Sequence, residues 1–177
     1  TQSTQSDDTE ILTESPERTL PSANALNSNQ SALLNVLLGK STATKLRGIA
    51  LGDPLTKVSS QESFELFEEE GDHLGYTYET EQLETIDVLY YHSGTAQVQR
   101  IQLDVYLNSK AATDELLKAT REHFTALYGA PKQSSDRKTA WTQAKTRVRV
   151  EDVSENKDFG ITIVMEPAQS PVVLSSL

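Results

Sequence analysis

The sequence predicts an α+β protein: a two-layer sandwich in which a short and a long helix pack on one face of an antiparallel sheet of about six to seven strands. Three observations lead there. Four segments between residues 64 and 107 alternate apolar and polar side chains at period two. Residues 109–131 then repeat apolar side chains at helical spacing, and three more strand-like segments follow. Alternation gives each strand one buried and one wet face, which favours antiparallel pairing, because parallel strands are covered on both sides.

In chain order, residues 1–30 contain no aromatic side chain and are rich in Ser, Thr, Gln and Asn, with Pro16 and Pro21 as punctuation. They lack the apolar surface that offsets backbone entropy and are expected to form a flexible linker. Residues 31–45 read as a short helix and connection. Ser31 can cap the helix and Gly39 can end it. Leu33, Leu34, Val36, Leu37 and Leu38 span too wide an arc for a helix open to water, so they are expected to pack on the main domain.

That α+β domain is placed at 46–166. Ile49 and Leu51 alternate, Gly52 turns the chain, and Asp53 and Pro54 look like the N-cap and first residue of a short helix bearing Leu55 and Val58. Phe64 with Leu66, then Leu74 with Tyr76 and Tyr78, then Ile86 with Val88 and Tyr90, then Ile101 with Leu103, Val105 and Leu107 mark four strands. Gly71 and Gly94 sit where hairpin turns belong. The long helix carries Leu116, Leu117, Thr120, Phe124, Leu127 and Tyr128 as one stripe, with Ser109 to cap it and Gly129 and Pro131 to stop it. Strands around Trp141, over Val148 and Val150, and over Ile161 and Ile163 complete the sheet, with residues 154–160 as a hairpin connection. Residues 167–177, broken by Pro167 and Pro171, read as a tail. The order suggests a duplicated helix-plus-sheet unit, without a residue-level repeat.

Composition narrows the chemistry. The net charge of −10 opposes binding to nucleic acid or anionic membranes. The chain has no cysteine, which removes disulfides, thiolate nucleophiles and Cys-based zinc sites. No apolar run is long enough to span a membrane. Gly39-Lys40-Ser41 has the last three residues of a phosphate-binding loop, but the first glycine that loop requires is Leu34 and no buried strand precedes it. Gly39 therefore reads as a helix cap, Lys40 as solvated, and no nucleotide is expected. His73, His92 and His123 have no metal-ligand spacing, and His123 reads as an exposed helical residue. Residues 68–72, Glu-Glu-Glu-Gly-Asp, lack the alternating ligands of a calcium loop. Asn29-Gln30-Ser31 matches a glycosylation sequon, meaningful only in a eukaryotic secretory pathway. No catalytic, cofactor or metal residue is expected.

One surface stands out. By alternation Tyr76, Tyr78 and Tyr90 point inward, whereas Tyr91 and Tyr106 fall on the wet face beside Gln97, Gln99, Gln102 and Asp104. Tyr91, Gln102, Asp104 and Tyr106 form a candidate protein-contact surface; the alternative is that they simply cover a sheet.

Gly48, Gly52, Pro54, Leu55 and Val58, followed by antiparallel strands, resemble the opening of SmpA/OmlA-like lipoproteins and of the beta-lactamase-inhibitor-like fold, both bacterial envelope domains. Residues 127–131, Leu-Tyr-Gly-Ala-Pro, with Trp141 beyond, resemble a second helix-to-sheet join of the same style, so the resemblance spans roughly 46–166. It implies a non-enzymatic secreted or periplasmic protein that acts through contact with a protein partner, with any lipid tether placed before Thr1. An unrecognised hydrolase and a cytosolic immunity-like or inhibitor protein are the alternatives.

Overall fold

The computed structural model describes residues 28–168. It is α+β, with three helices, a two-stranded ribbon and an eight-stranded antiparallel sheet. The elements are α1 (Ser28–Leu38), β1 (Lys45–Leu46), β2 (Ile49–Ala50), α2 (Leu55–Gln61), β3 (Glu65–Glu69), β4 (His73–Glu79), β5 (Thr85–Tyr91), β6 (Arg100–Leu107), α3 (Lys110–Tyr128), β7 (Gln133–Ser134), β8 (Lys138–Gln143), β9 (Thr146–Asp152) and β10 (Phe159–Pro167). The large sheet runs β3-β4-β5-β6-β10-β9-β8-β7. It contains one strand more than the upper expectation. The addition is β7, two residues long and too short to show a period in the sequence.

Each half of the large sheet is a helix followed by a four-stranded meander, and the two last strands, β6 and β10, pair at its centre. The strand order is thus mirrored about the β6–β10 pair, the layout expected of a repeated helix-plus-sheet unit. Both neighbours of every central strand are sequence-near or the other half's final strand. The pairing therefore needs no crossover longer than α3.

The core lies on one face. Ile86, Val88, Tyr90, Ile101, Leu103, Val105, Trp141, Val148, Val150, Ile161 and Ile163 point into it and are buried. The α3 stripe lies over them: Leu116, Leu117, Thr120 and Phe124 are buried, and Phe124 packs against Trp141 at 5.5 Å between ring centroids. Ser109 accepts a hydrogen bond from the Ala112 amide at 3.1 Å, capping α3, and Gly129 ends it at φ 88°. Helix α1 adds Leu33, Leu37 and Leu38 to the same cluster. It ends at Gly39, which has φ 52° and donates from its amide to the Asn35 carbonyl, while Lys40 is exposed.

Several local expectations are corrected. Helix α1 starts at Ser28, inside the stretch read as linker; the rest of that stretch, 1–27, lies outside the described residues, as do residues 169–177 of the expected tail. β10 runs on through Pro167, because edge-facing pairing with Thr146 tolerates a missing amide. Asp53 does not cap α2. Its carboxylate accepts from the Ala50 amide behind it at 2.8 Å and pairs with Lys57 at 3.0 Å, while Pro54 takes the cap position without a side-chain bond. Tyr78 points to the core side but lies near the sheet edge, so it is exposed and stacks on Phe64 at 5.0 Å. His123 is not exposed: it is half-buried against Phe124.

A buried ionic clasp ties α1 to this frame. Arg47 forms a forked pair with Glu62, with nitrogen–oxygen distances of 2.6 and 2.9 Å. The same guanidinium donates to the Val36 and Leu37 carbonyls, which the end of α1 leaves without helical partners. Glu62 also accepts from the Tyr90 hydroxyl at 2.6 Å and from the Phe64 amide at 3.0 Å.

Candidate functional site

No helix covers the second face of the large sheet among the described residues, and its side chains form rows set by strand register. The first row is His73, Tyr91 and Arg100, on β4, β5 and β6. Tyr91 sits between the other two, with its ring 5.1 Å from the His73 ring and 4.1 Å from the Arg100 guanidinium carbon. His73 also meets Asp72 at 2.8 Å through Nδ1 and Glu68 through Nε2. Burial alone would depress the imidazole pKa, but the hydrogen bonds and charges of these carboxylates raise it above its ordinary value.

The second row is Gly75, Leu89, Gln102, Val164, Arg149 and Ala140. A bulge between Leu66 and Glu68 turns Phe67 onto this face. Its ring lies over Gly75 so closely that a Cβ there would meet it at 3.0 Å, and Leu89 at 3.2 Å. Phe67 is 47 % exposed. The result is an apolar patch, Phe67 and Leu89, on the face opposite to that of Leu66 and Val88.

The third row, Thr77, Asp87, Asp104 and Thr162, is polar. Asp87 and Asp104 are direct cross-strand neighbours, an arrangement in which like charges oppose each other. The Thr77 hydroxyl donates to Asp87 at 2.7 Å, and the Thr162 hydroxyl to Asp104 at 3.0 Å. Gln102 donates its amide to both oxygens of Asp104 at 3.1 and 3.2 Å. Desolvation, with the charges of Asp104 and Glu68, raises the Asp87 pKa in spite of the Thr77 bond. The last row places Tyr106 opposite Gly160; Tyr106 is 51 % exposed.

All four residues singled out in the sequence therefore lie on the open face. Gln102 and Asp104 touch. Tyr91 and Tyr106 do not come together: Tyr106 pairs with Thr85, six residues along β5 from Tyr91, so the two rings are about 20 Å apart along the strands. Sequence reading missed Phe67, Leu89 and Asp87. All three were legible in principle: Asp87 and Leu89 share the parity of Tyr91, and Phe67 has the parity opposite to Phe64 and Leu66.

The arrangement offers hydrogen-bond acceptors, exposed aromatic rings and one apolar patch on a pleated surface. Among the described residues no group of three His, Asp or Glu side chains could hold a metal ion. No helix there is long and apolar enough to cross a membrane. Comparison of the chain with protein-family models, curated proteins and solved structures finds no match.

Proposed function

We propose that this chain is a non-enzymatic secreted or periplasmic domain that acts by docking the open face of its sheet against a protein partner. The observation that carries the reading is the one-sidedness of the fold: α1 and α3 share the core with one face, while the other presents Phe67, Leu89, Tyr91, Tyr106 and the Asp87–Asp104 pair. Aromatic and apolar anchors ringed by polar groups are the usual make-up of a contact surface. The Asp87–Asp104 opposition adds to this, because a donor from a partner would relieve it. The envelope location rests on the resemblance carried by Gly48, Gly52, Pro54, Leu55 and Val58.

The test is partner capture from cell-envelope extract by the chain and by its Tyr91→Ala, Tyr106→Ala double variant. Capture should weaken by about tenfold or more, since anchors of this type contribute about 1–2 kcal/mol each. The exposed Tyr106 ring should hardly affect the melting temperature, whereas Tyr91→Ala also removes the ring between His73 and Arg100, so capture is compared at a temperature where both chains are folded. Undiminished capture of the same partners would defeat the reading. Turnover of an ester, phosphate or glycoside panel, lost on mutating a histidine, would replace it with the enzymatic alternative.

A further inference from the structure

A cleft of about 900 Å³ opens at the Tyr91 end of this face, lined by Leu51, Tyr91, Val98, Arg100, Lys145 and Pro167 among others. It contains an arginine with nothing to hold. Of the described arginines, Arg47 binds Glu62, Arg121 donates to the Ser135 and Asp136 carbonyls, and Arg137 to those of Asp152 and Ser154. Arg147 and Arg149 both pair with Glu166. Arg100 alone has no acceptor; its Nε is buried and without a hydrogen-bond partner, and its guanidinium rests against the Tyr91 ring. A donor without a protein partner at the wall of a cleft is available to an acceptor that enters it.

The surroundings narrow the ligand. The acids of the cleft rim are already engaged: Glu166 by Arg147 and Arg149, Asp72 by His73. Lys145 is exposed and has no carboxylate partner among the described residues. Arg100 and Lys145 offset the two carboxylates of the lining, Asp72 and Glu166, so the cleft lacks the acidic excess of a chain of net charge −10. A guanidinium presents its donors as a planar fork that matches a carboxylate. Leu51 and Pro167 supply apolar wall on which flanking aliphatic side chains can lie.

We propose that this cleft binds an extended acidic segment of a partner protein, with Arg100 holding a Glu or Asp carboxylate, Lys145 reinforcing the charge, and Leu51 and Pro167 receiving neighbouring apolar side chains. The proposal rests on the protein-contact reading in giving that contact its partner chemistry, and the two meet at Tyr91.

The test is an NMR titration of the 15N-labelled full chain. The probes are acetyl-Val-Glu-Val-amide, its Gln counterpart acetyl-Val-Gln-Val-amide, and inorganic phosphate. The Arg100 Nε–H resonance is identified by its loss in Arg100→Gln. The Glu peptide should shift it downfield saturably and bind about tenfold or more tighter than the Gln peptide, since a charged acceptor strengthens the bond by roughly that factor. Added salt and Lys145→Gln should each weaken binding, and Arg100→Lys should keep the charge but lose most of the affinity. Equal response to both peptides, or no saturable shift at millimolar peptide, would overturn the assignment. Phosphate binding more tightly than the Glu peptide would overturn it too, making the cleft a phosphate site. Tyr106→Ala should leave the titration unchanged. Thus, failure of the docking-face reading appears as undiminished partner capture by the Tyr variants, whereas failure of the cleft appears only in the titration. Should Arg100→Gln not fold, the Lys145→Gln, salt and Gln-peptide arms decide.

Discussion

Replacing Arg47 by Met should be among the most destabilising single changes in the chain. The guanidinium serves the forked pair with Glu62, the two end carbonyls of α1, and a stacking contact 3.9 Å from the Phe64 ring centroid. The Arg47 and Glu62 side chains are 6 % and 0 % exposed, so neither partner has water to fall back on. Arg47→Met keeps the length of the stem and leaves a carboxylate buried, with only the Tyr90 hydroxyl and the Phe64 amide to hold it. Breaking one side of such a pair costs about 3–5 kcal/mol. At a urea dependence of about 2 kcal/mol per molar, the unfolding midpoint should fall by roughly 2 M with the slope unchanged. Removing the stranded charge as well, in Arg47→Met with Glu62→Leu, should recover at least about 2 kcal/mol, because an apolar replacement of a buried pair is often close to neutral. Adding Tyr90→Phe then removes the hydroxyl that lost its acceptor. A loss below about 1 kcal/mol for Arg47→Met, or a double variant no more stable than the single one, would refute the clasp.

Three further outcomes can be checked on the purified chain. Leu103→Ala and Phe124→Ala each empty a fully buried position and should cost about 2–5 kcal/mol by chemical denaturation; losses below about 0.5 kcal/mol for both would contradict the shared core. Gly160→Ala puts a Cβ 2.7 Å from the Val105 carbonyl oxygen, so the central β6–β10 pair must shift, at a cost of about 1–3 kcal/mol; a thermally unaltered variant would contradict that approach. The two histidines should titrate on opposite sides of the ordinary value: His73 above it, because its carboxylate partners outweigh desolvation, and His123 below it, because burial disfavours its charge. Stability from His73 is present below the unfolded pKa and lost as pH rises through the folded one, whereas His123 withdraws stability as pH falls from its unfolded pKa through its folded one. NMR midpoints in the reverse order would contradict both environments.

What the letters revealed depended on the range of the signal. The α3 stripe, the Ser109 cap, the Gly129 stop and the alternation of β6 are local patterns, and each is present in the fold. Gly39 was separable from a phosphate loop because one missing glycine decides that geometry. The open face followed from the parity of Tyr91, Gln102, Asp104 and Tyr106. The clasp was invisible, because Arg47, Glu62 and Tyr90 are far apart in the chain and meet only through packing. Tyr78 misled because alternation gives a side but not its distance from the sheet edge. The cleft likewise depends on the β8–β9 hairpin coming beside the β5–β6 connection, which no single segment encodes.

The most direct test of the central claim is site-specific photo-crosslinking in cell-envelope extract. A benzophenone side chain replaces Tyr106 on the open face in one sample and Glu122, an exposed residue on α3, in the other. Docking through the open face predicts a discrete adduct from position 106, suppressed by excess unlabelled chain, and none from position 122. An adduct from position 122 with none from 106 would place the contact on the helical layer and contradict the account.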